Sequence, residues 1–531
     1  MRLQALALLG LCAACAQAAG TLSAPAVQAA ETTDSPAAPA GAAGLSLRQA
    51  AAAALERNSA ILGAGLQVRI SQANALAAQG PFDWQFNGSL TAGRTVRKLT
   101  ALEKSTLAGY TGVPADNELT FSESTQAAVG KLFESGLSPS LGFTADATRD
   151  RLLRLEGFPD QRTNVATFSL TLPLAPLGRN NGTIAVETRR GLRQESLAAQ
   201  QDLRQTVSQV VLAVVQKYWE CIARAQQLDA ARAAEARVAL LARETEKLIA
   251  ADQLPAAERQ LVLASLAEHR SSTLAAALAS EQSRRDLALL LGSDAADAYL
   301  GTVLADPIPD ASAPLDQLIG ATDAGAAIMR RPEVLAAQAR LAESESRLRA
   351  AAEARKPAVD LTLSAGYAAL HEGDSVGFTP TGAFVDQPTA AATLSMQIPF
   401  ENSAARGAEQ AAALAAENSR VDLAQARRAA GNGLAQALAA LRTASATLEK
   451  AADAEARYKT AVENERTKRR LGLSTLIDVI TIEDRYAAAV DNLVQARQAR
   501  ASAVARWYYE QALLVEVDQE RLLVRTDLLF Q

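Results

Sequence analysis

Arg469-Arg470-Leu471-Gly472-Leu473-Ser474-Thr475-Leu476-Ile477-Asp478-Val479 interrupts a very long Ala-rich tract near the end of the chain. Helix formers run up to Gly472 and resume beyond Thr475, which predicts two long helices joined by a tight tip. A weaker copy, Ala250-Ala251-Asp252-Gln253-Leu254-Pro255-Ala256-Ala257-Glu258, breaks an earlier tract in the same way. In both, an acid stands six residues after the break: Asp478 after Gly472, and Glu258 after Asp252.

Working outward from each tip, the same order of segments appears twice. In the second half, residues 326–355 have helical periodicity and stop at Lys356-Pro357. Residues 359–371 alternate as a strand, and a Gly- and Pro-bearing loop spans 372–387. A second strand, 389–400, ends Gln397-Ile398-Pro399-Phe400, and long helices fill 403–511. In the first half, residues 45–79 are helical and stop at Gly80-Pro81. Strands follow at about 82–96, opening on Phe82, Trp84 and Phe86, and at 163–174, ending Thr171-Leu172-Pro173-Leu174. Long helices fill 182–291. The two repeats are thus 45–292 and 326–511, with a Pro-bearing connector at 293–325 and a Leu-rich tail at 512–531.

The punctuation agrees except in one place. Pro173 lies 85 residues before Glu258, and Pro399 lies 79 before Asp478. Pro81 to Pro173 is 92 residues, whereas Pro357 to Pro399 is 42. The first half therefore carries an insertion of about 50 residues within 97–162. Residues 120–131 and 138–148, around the turn Glu134-Ser135-Gly136, read as an extra hairpin inside it. Whether that hairpin joins the other strands or lies outside them stays open at this level.

Composition bounds the object. The 531 residues are 49% hydrophobic but only 4% aromatic, and Ala supplies much of the apolar count. Such a chain favours long, closely packed helices over a bulky core. A net charge of −5 with both signs interspersed gives no nucleic-acid footprint. His269 and His371 are far apart and Met329 and Met396 isolated, so neither a metal nor another cofactor is expected. Cys221 is the one cysteine beyond the first fifteen residues, and reads as a small buried side chain. Tyr218-Trp219 and Trp507-Tyr508-Tyr509 read as packing on the long helices. No nucleophile-base set or phosphate loop points to an enzyme.

Met1-Arg2 followed by the short apolar stretch 3–14 reads as an export signal. Two endings stand side by side. Ala16-Gln17-Ala18 fits ordinary cleavage, giving a signal peptide of 1–18 and a tether of 19–44. Cys12-Ala13-Ala14-Cys15 resembles a lipoprotein site, with Cys15 acylated and a signal of 1–14. No later segment has about 20 uninterrupted apolar residues, so any second membrane would be crossed by strands in a closed barrel. Four to six strands are too few to close one in a single chain, and oligomerisation would supply the rest.

The duplication, Leu45-Ser46-Leu47-Arg48-Gln49-Ala50 at the start of the first half, Arg330-Arg331-Pro332-Glu333 at the start of the second, and Leu471 to Val479 at the tip together resemble the TolC family of outer-membrane efflux proteins. The resemblance covers residues 45 to about 512. It implies a mainly α fold with membrane β: a homotrimer whose strands form a twelve-stranded barrel in the outer membrane of a Gram-negative bacterium, continued by periplasmic helical hairpins. It implies export of small molecules or proteins, with a periplasmic adaptor and an inner-membrane pump of RND or ABC type as partners. The competing expectation is a lipid-anchored coiled-coil adaptor without a pore.

Under the resemblance, Asp478 matches the family's entrance aspartate and Glu258 its counterpart in the first tip. Rings of such carboxylates would select cations; otherwise both are solvated helix acids. The family's second acid, three residues further on, is Thr481 here. Arg469 and Arg470 would either pair with the acids across subunits or stand in water. Leu471, Gly472, Leu473, Ser474 and Leu254 would form an adaptor-docking surface, or simply cap the hairpins. Phe82, Trp84 and Phe86 would lie in an interfacial aromatic belt, or pack at the junction. Asp252 stands where the family commonly has Gly and is followed by Pro255, so the first tip is expected to turn differently.

Overall fold

The computed structural model describes residues 44–531 apart from 113–115, 156, 176, 294–301, 310–318, 321–322, 374–386, 519–520 and 531. The export signal, Cys15, nearly all of the tether and much of the connector lie outside the described residues, as does most of the loop at 372–387. The chain forms two compact units. One is drawn from residues up to 69, from 199–336 and from 424–531; the other from 70–198 and 337–423.

In chain order the elements are α1 (Leu47–Arg57), α2 (Ser59–Ala77), β1 (Gln85–Lys98), α3 (Ala101–Thr111), β2 (Asn117–Gly130), β3 (Ser138–Asp150), α4 (Arg151–Leu155), β4 (Gln161–Pro173), α5 (Asn181–Ala250) and α6 (Glu258–Leu290). The second half adds α7 (Ala324–Arg330), α8 (Pro332–Ala354), β5 (Ala358–Glu372), β6 (Gln387–Gln397), α9 (Ser403–Arg470) and α10 (Leu476–Glu510). In the tail, β7 (Val515–Asp518) and β8 (Arg521–Val524) pair antiparallel before a 3₁₀ turn at Thr526–Phe530. α5 and α9 have 70 and 68 residues, about 100 Å of helix each at 1.5 Å per residue.

The helical stretch opening each repeat is broken in two. Asn58 takes an extended conformation and its side chain donates to the Leu290 carbonyl at 2.9 Å. Arg331 is extended because a residue preceding proline is held out of the α region. The N-termini are capped: Ser46 forms a reciprocal capping box with Gln49, and Asp323 accepts from the amides of Gly325 and Ala326.

The helical unit has a core of mostly small and branched side chains, with the aromatics at its centre. Tyr218 and Trp219 are fully buried, and Trp507, Tyr508 and Tyr509 pack into the same cluster. The Tyr218 hydroxyl donates to the Leu45 carbonyl at 2.7 Å and accepts from the Asp306 amide at 3.1 Å. Leu514 and Leu529, from the tail, are buried here as well. Cys221 is buried and donates to the Ser283 carbonyl, and burial pushes its thiol pKa up.

Arg331, from the Arg330-Arg331-Pro332-Glu333 motif, is buried beside Glu510 and ion-pairs with it and, at 2.5 Å, with Glu333. Its guanidinium lies 5.1 Å from the Tyr509 ring centroid, and Tyr509 accepts from Gln205 at 2.9 Å. Burial alone would lower the Arg331 pKa; the two carboxylates more than offset it and keep the charge. Gly433 makes room for this cluster, since a Cβ there would stand 2.6 Å from the Glu510 carboxylate.

The other unit holds a six-stranded antiparallel sheet in the order β1-β2-β3-β4-β5-β6. The extra hairpin of the first half is β2 and β3, and it sits within the sheet, between β1 and β4.

Candidate functional site

The two tips use one backbone motif. At the second, the Leu473 amide donates to the Lys468 carbonyl and the Gly472 amide to Arg469. At the first, Gln253 donates to Leu248 and Asp252 to Ile249. Both are Schellman caps, with Gly472 at φ 73° and Asp252 at φ 52° in the left-handed position. The same pair of bonds ends α6 at Gly292 and α10 at Ala512. Those positions lie 40 residues beyond the tip residues in each half (292 − 252 and 512 − 472).

The helices that leave the tips start differently. Thr475 caps α10 and its hydroxyl accepts from the Asp478 amide at 3.3 Å, while the Asp478 carboxylate accepts from the Thr475 amide at 3.1 Å and hydroxyl at 2.5 Å. Pro255 stands where Thr475 does and has no side-chain oxygen to offer. α6 therefore opens through i→i+3 bonds from Glu258, Arg259 and Gln260 to Pro255, Ala256 and Ala257.

Asp478 is exposed, and its pKa is held below the ordinary carboxylate value first by the Thr475 hydroxyl and then by the Thr475 amide. Glu258 is half-buried at the start of α6. Arg469 is half-buried and donates to the Thr245 hydroxyl at 3.2 Å. Burial lowers its pKa, against the opposing charges of Glu258 and Glu244 of the same chain. Arg470 is exposed and donates to Thr467 at 3.2 Å. Ser474 donates to Glu465 at 2.5 Å, which with Lys468 lowers the Glu465 pKa. Thr481 donates back to the Ile477 carbonyl. Leu471 and Leu473 are 69% and 74% exposed; Leu254 is half-buried. Beneath them Leu476, Val479 and Ile480 pack on Leu241 and Val262.

One residue at the tip end escaped the sequence reading. Glu483 is buried on α10, where it accepts from Arg237 of α5 at 2.9 Å and ion-pairs with Arg466 of α9. Its signal is spacing: Leu476, Val479, Ile480 and Glu483 form one helical stripe, and the fourth member of a buried stripe is an acid.

The sheet has two unlike faces. Partners in antiparallel rows point the same way, and rows alternate between faces. Phe86, Val129, Leu141, Phe168 and Ala365 share a row, as do Ala127, Phe143, Ala166 and Tyr367 two positions along. The row between them holds Asn87, Ala128, Gly142, Thr167 and Gly366, and the next on that face Ser89, Gln126, Thr144, Val165 and Ala368. Across these rows one face is apolar and the other small and polar. The apolar face is open, with Phe86 58%, Leu141 60% and Phe168 49% exposed. Toward one end it gives way to charge, with Glu123 and Arg162 in the row of Ala92, and Arg94 and Arg149 in the row of Phe121. On the other side Lys131 lies over Trp84 and Phe133, and Arg189 over Phe82. Among the described residues no helix is long and apolar enough to cross a membrane.

A family profile described as outer membrane efflux protein matches residues 324–508, the second repeat. No curated protein matches the chain. Among solved structures, a membrane protein from Pseudomonas aeruginosa is similar with a TM-score of 0.66 at 16% identity, over 88% of this chain and 90% of that one. The CmeC outer membrane channel of Campylobacter jejuni gives 0.62 at 15%, over 88% and 85%. The outer membrane protein VceC of Vibrio cholerae gives 0.62 at 15%, over 88% and 95%. At these identities the likeness is one of fold, and it extends over both repeats.

Proposed function

We infer that this chain is an outer membrane efflux protein, a channel that carries small molecules or proteins from the periplasmic side to the exterior. The observation that carries this reading is the two-faced sheet: an open apolar face backed by a polar one is what a strand wall between lipid and a watery lumen requires. The family profile over the second repeat and the shared fold support the same reading. They also favour it over a pore-less adaptor, which has no use for six such strands.

Three copies would assemble, with a periplasmic adaptor and an inner-membrane pump of RND or ABC type engaging the tips. Leu471 and Leu473 would be the apolar contacts for the adaptor, flanking Gly472, with Ser474 and Leu254 at the edge of the surface. Asp478 would line the aperture, its carboxylate held in place by Thr475. Glu258, half-buried and subject to the charge of Arg469 in the same chain, would contribute less. Arg470 would stand in water.

The test is to fractionate membranes and reconstitute the purified protein in planar bilayers. Recovery in the outer membrane with discrete cation-preferring conductance is expected. Recovery only in the soluble fraction, or a non-conducting oligomer, would overturn the reading.

A further inference from the structure

We propose that the inserted hairpin β2–β3 is barrel wall, and that β1 of one copy pairs with β6 of the next, so that three copies of this six-stranded sheet close a barrel of eighteen strands. The inference rests on the outer-membrane reading above. It departs from the twelve strands that the family resemblance implies.

Position is the first argument. β2 and β3 lie in the middle of the sheet, and β1 and β4 do not touch as neighbours. β2 pairs with β1 along all 14 of its residues, and β3 with β4 from Ser138 to Thr148. A hairpin folded into the lumen or over the outside would instead leave β1 and β4 paired.

Patterning is the second. The inserted strands repeat the alternation of their neighbours in phase. Val129, Leu141 and Phe143 fall on the apolar face with Phe86 and Phe168, while Gln126 and Thr144 fall on the polar one. A hairpin surrounded by water would have no reason to keep one lipid-like face.

The third argument is a built joint at the inner turn. Asn180 caps the start of α5 through the Gly182 amide at 2.9 Å, and its amide nitrogen donates to the Ser135 carbonyl in the β2–β3 turn at 2.9 Å. Arg189 of α5 pairs with Glu134 of the same turn at 2.5 Å. Glycine is required on both sides: a Cβ on Gly136 would stand 2.1 Å from the Asn180 side-chain oxygen, and one on Gly182 2.3 Å from the Gly136 amide nitrogen. The hairpin is therefore tied to the same helix start that follows β4.

The edges say what completes the sheet. Every residue of β6 is exposed, and all but one of β1. Unpaired backbone at an open edge is not tolerated in hydrocarbon. With six antiparallel strands, β1 and β6 run in opposite directions, so joining β6 to the next copy's β1 continues the alternation. Strands about 4.8 Å apart and tilted by about 40° give a backbone diameter of about 36 Å for eighteen strands, against about 24 Å for twelve.

The experiment is a cryo-electron-microscopy section through the barrel of the full-length protein in lipid nanodiscs, with two cysteine reporters in a Cys221→Ala background. Eighteen strands, with bimane on Leu141→Cys quenched by brominated phosphatidylcholine and bimane on Thr144→Cys quenched by aqueous iodide, are expected. Twelve strands, or iodide reaching both positions equally, would overturn the proposal while leaving the channel reading intact. A protein with no barrel density in the disc would instead sink the channel reading, and this inference with it.

Discussion

Glu483→Gln is expected to loosen the tip end of the helical unit by about 1–2 kcal/mol. The side chain is 4% exposed and receives two guanidinium groups, from Arg237 and Arg466, whose own side chains are 27% and 44% exposed. Charge-assisted hydrogen bonds contribute about 1.5–3 kcal/mol and neutral ones about 0.5–1.5. Glutamine keeps the shape and one acceptor but loses the charge, which gives the difference stated. Glu483→Ala removes the acceptor altogether. Breaking a fully buried pair costs about 3–5 kcal/mol. Both arginines here keep a path to water, so about 2–3 kcal/mol is expected.

The assay is hydrogen exchange followed by mass spectrometry, on peptides covering 459–470 and 476–490. A loss of 1–2 kcal/mol speeds exchange by roughly 5–30-fold where opening is local. Arg457→Ala is the control. Its pair with Asp453 is exposed, at 78% and 56%, and such pairs contribute about 0–1 kcal/mol. Exchange in Glu483→Gln and Glu483→Ala no faster than in the control would refute the reasoning, and would mean that the two arginines are solvated without Glu483.

Thr475→Ala should cost about 1 kcal/mol of α10 stability and, by releasing the Asp478 carboxylate, lower cation preference less than Asp478→Asn does, both read as a reversal potential across a KCl gradient. The Asp478 carboxyl has a folded pKa below its unfolded value, so its contribution is present above about pH 4 and lost as pH falls through the folded pKa; exchange at the Asp478 amide should be flat from about pH 5 to 8, once corrected for intrinsic rates, and rise on further acidification. Gly136→Ala, which places a Cβ against Asn180 at φ 91°, should reduce the yield of heat-resistant oligomer on gels, while Gly109→Ala on α3, with open space around it, should not. Ala512→Gly should raise the unfolding temperature modestly, by relieving about 1 kcal/mol of left-handed strain.

The helical part was legible because its signals are local. Long Ala-rich tracts, Gly472, and the repeated spacing between strand-end prolines and tip acids place both hairpins without any tertiary information. Two breaks went unseen: at Asn58 the signal is a single polar residue in a continuous pattern, and at Arg331 it is the proline that follows it. The sheet was legible only in part. Alternation locates strands, but the neighbour of a strand is decided by pairing over long separations, so β2 and β3 read as a hairpin without a place. Site residues divide the same way. The Thr475–Asp478 cap is a local motif, whereas Arg469 meeting Thr245 and Glu483 meeting two arginines depend on which helices lie side by side.

The two tips show what the two halves of the chain have in common. Each half ends its long helices with the same pair of backbone bonds, 40 residues apart, yet the residues that adopt the left-handed position have traded places. Glycine sits at the tip in the second half and at the far end in the first, with Asp252 and Ala512 at the other two positions. A left-handed residue without glycine costs roughly 1–2 kcal/mol at most, and less for Asp, whose short polar side chain tolerates that region. Changing the spacing would instead rotate every later side chain off its buried stripe, at a cost repeated along some 33 to 35 residues of helix. The spacing is therefore the constrained quantity and the glycine is not. Asp252 in the first tip is thus an ordinary variation on Gly472. The real difference between the tips lies three residues further on. Thr475 holds Asp478 in a fixed, exposed place there, while Pro255 offers no side-chain cap to the helix that starts at Glu258.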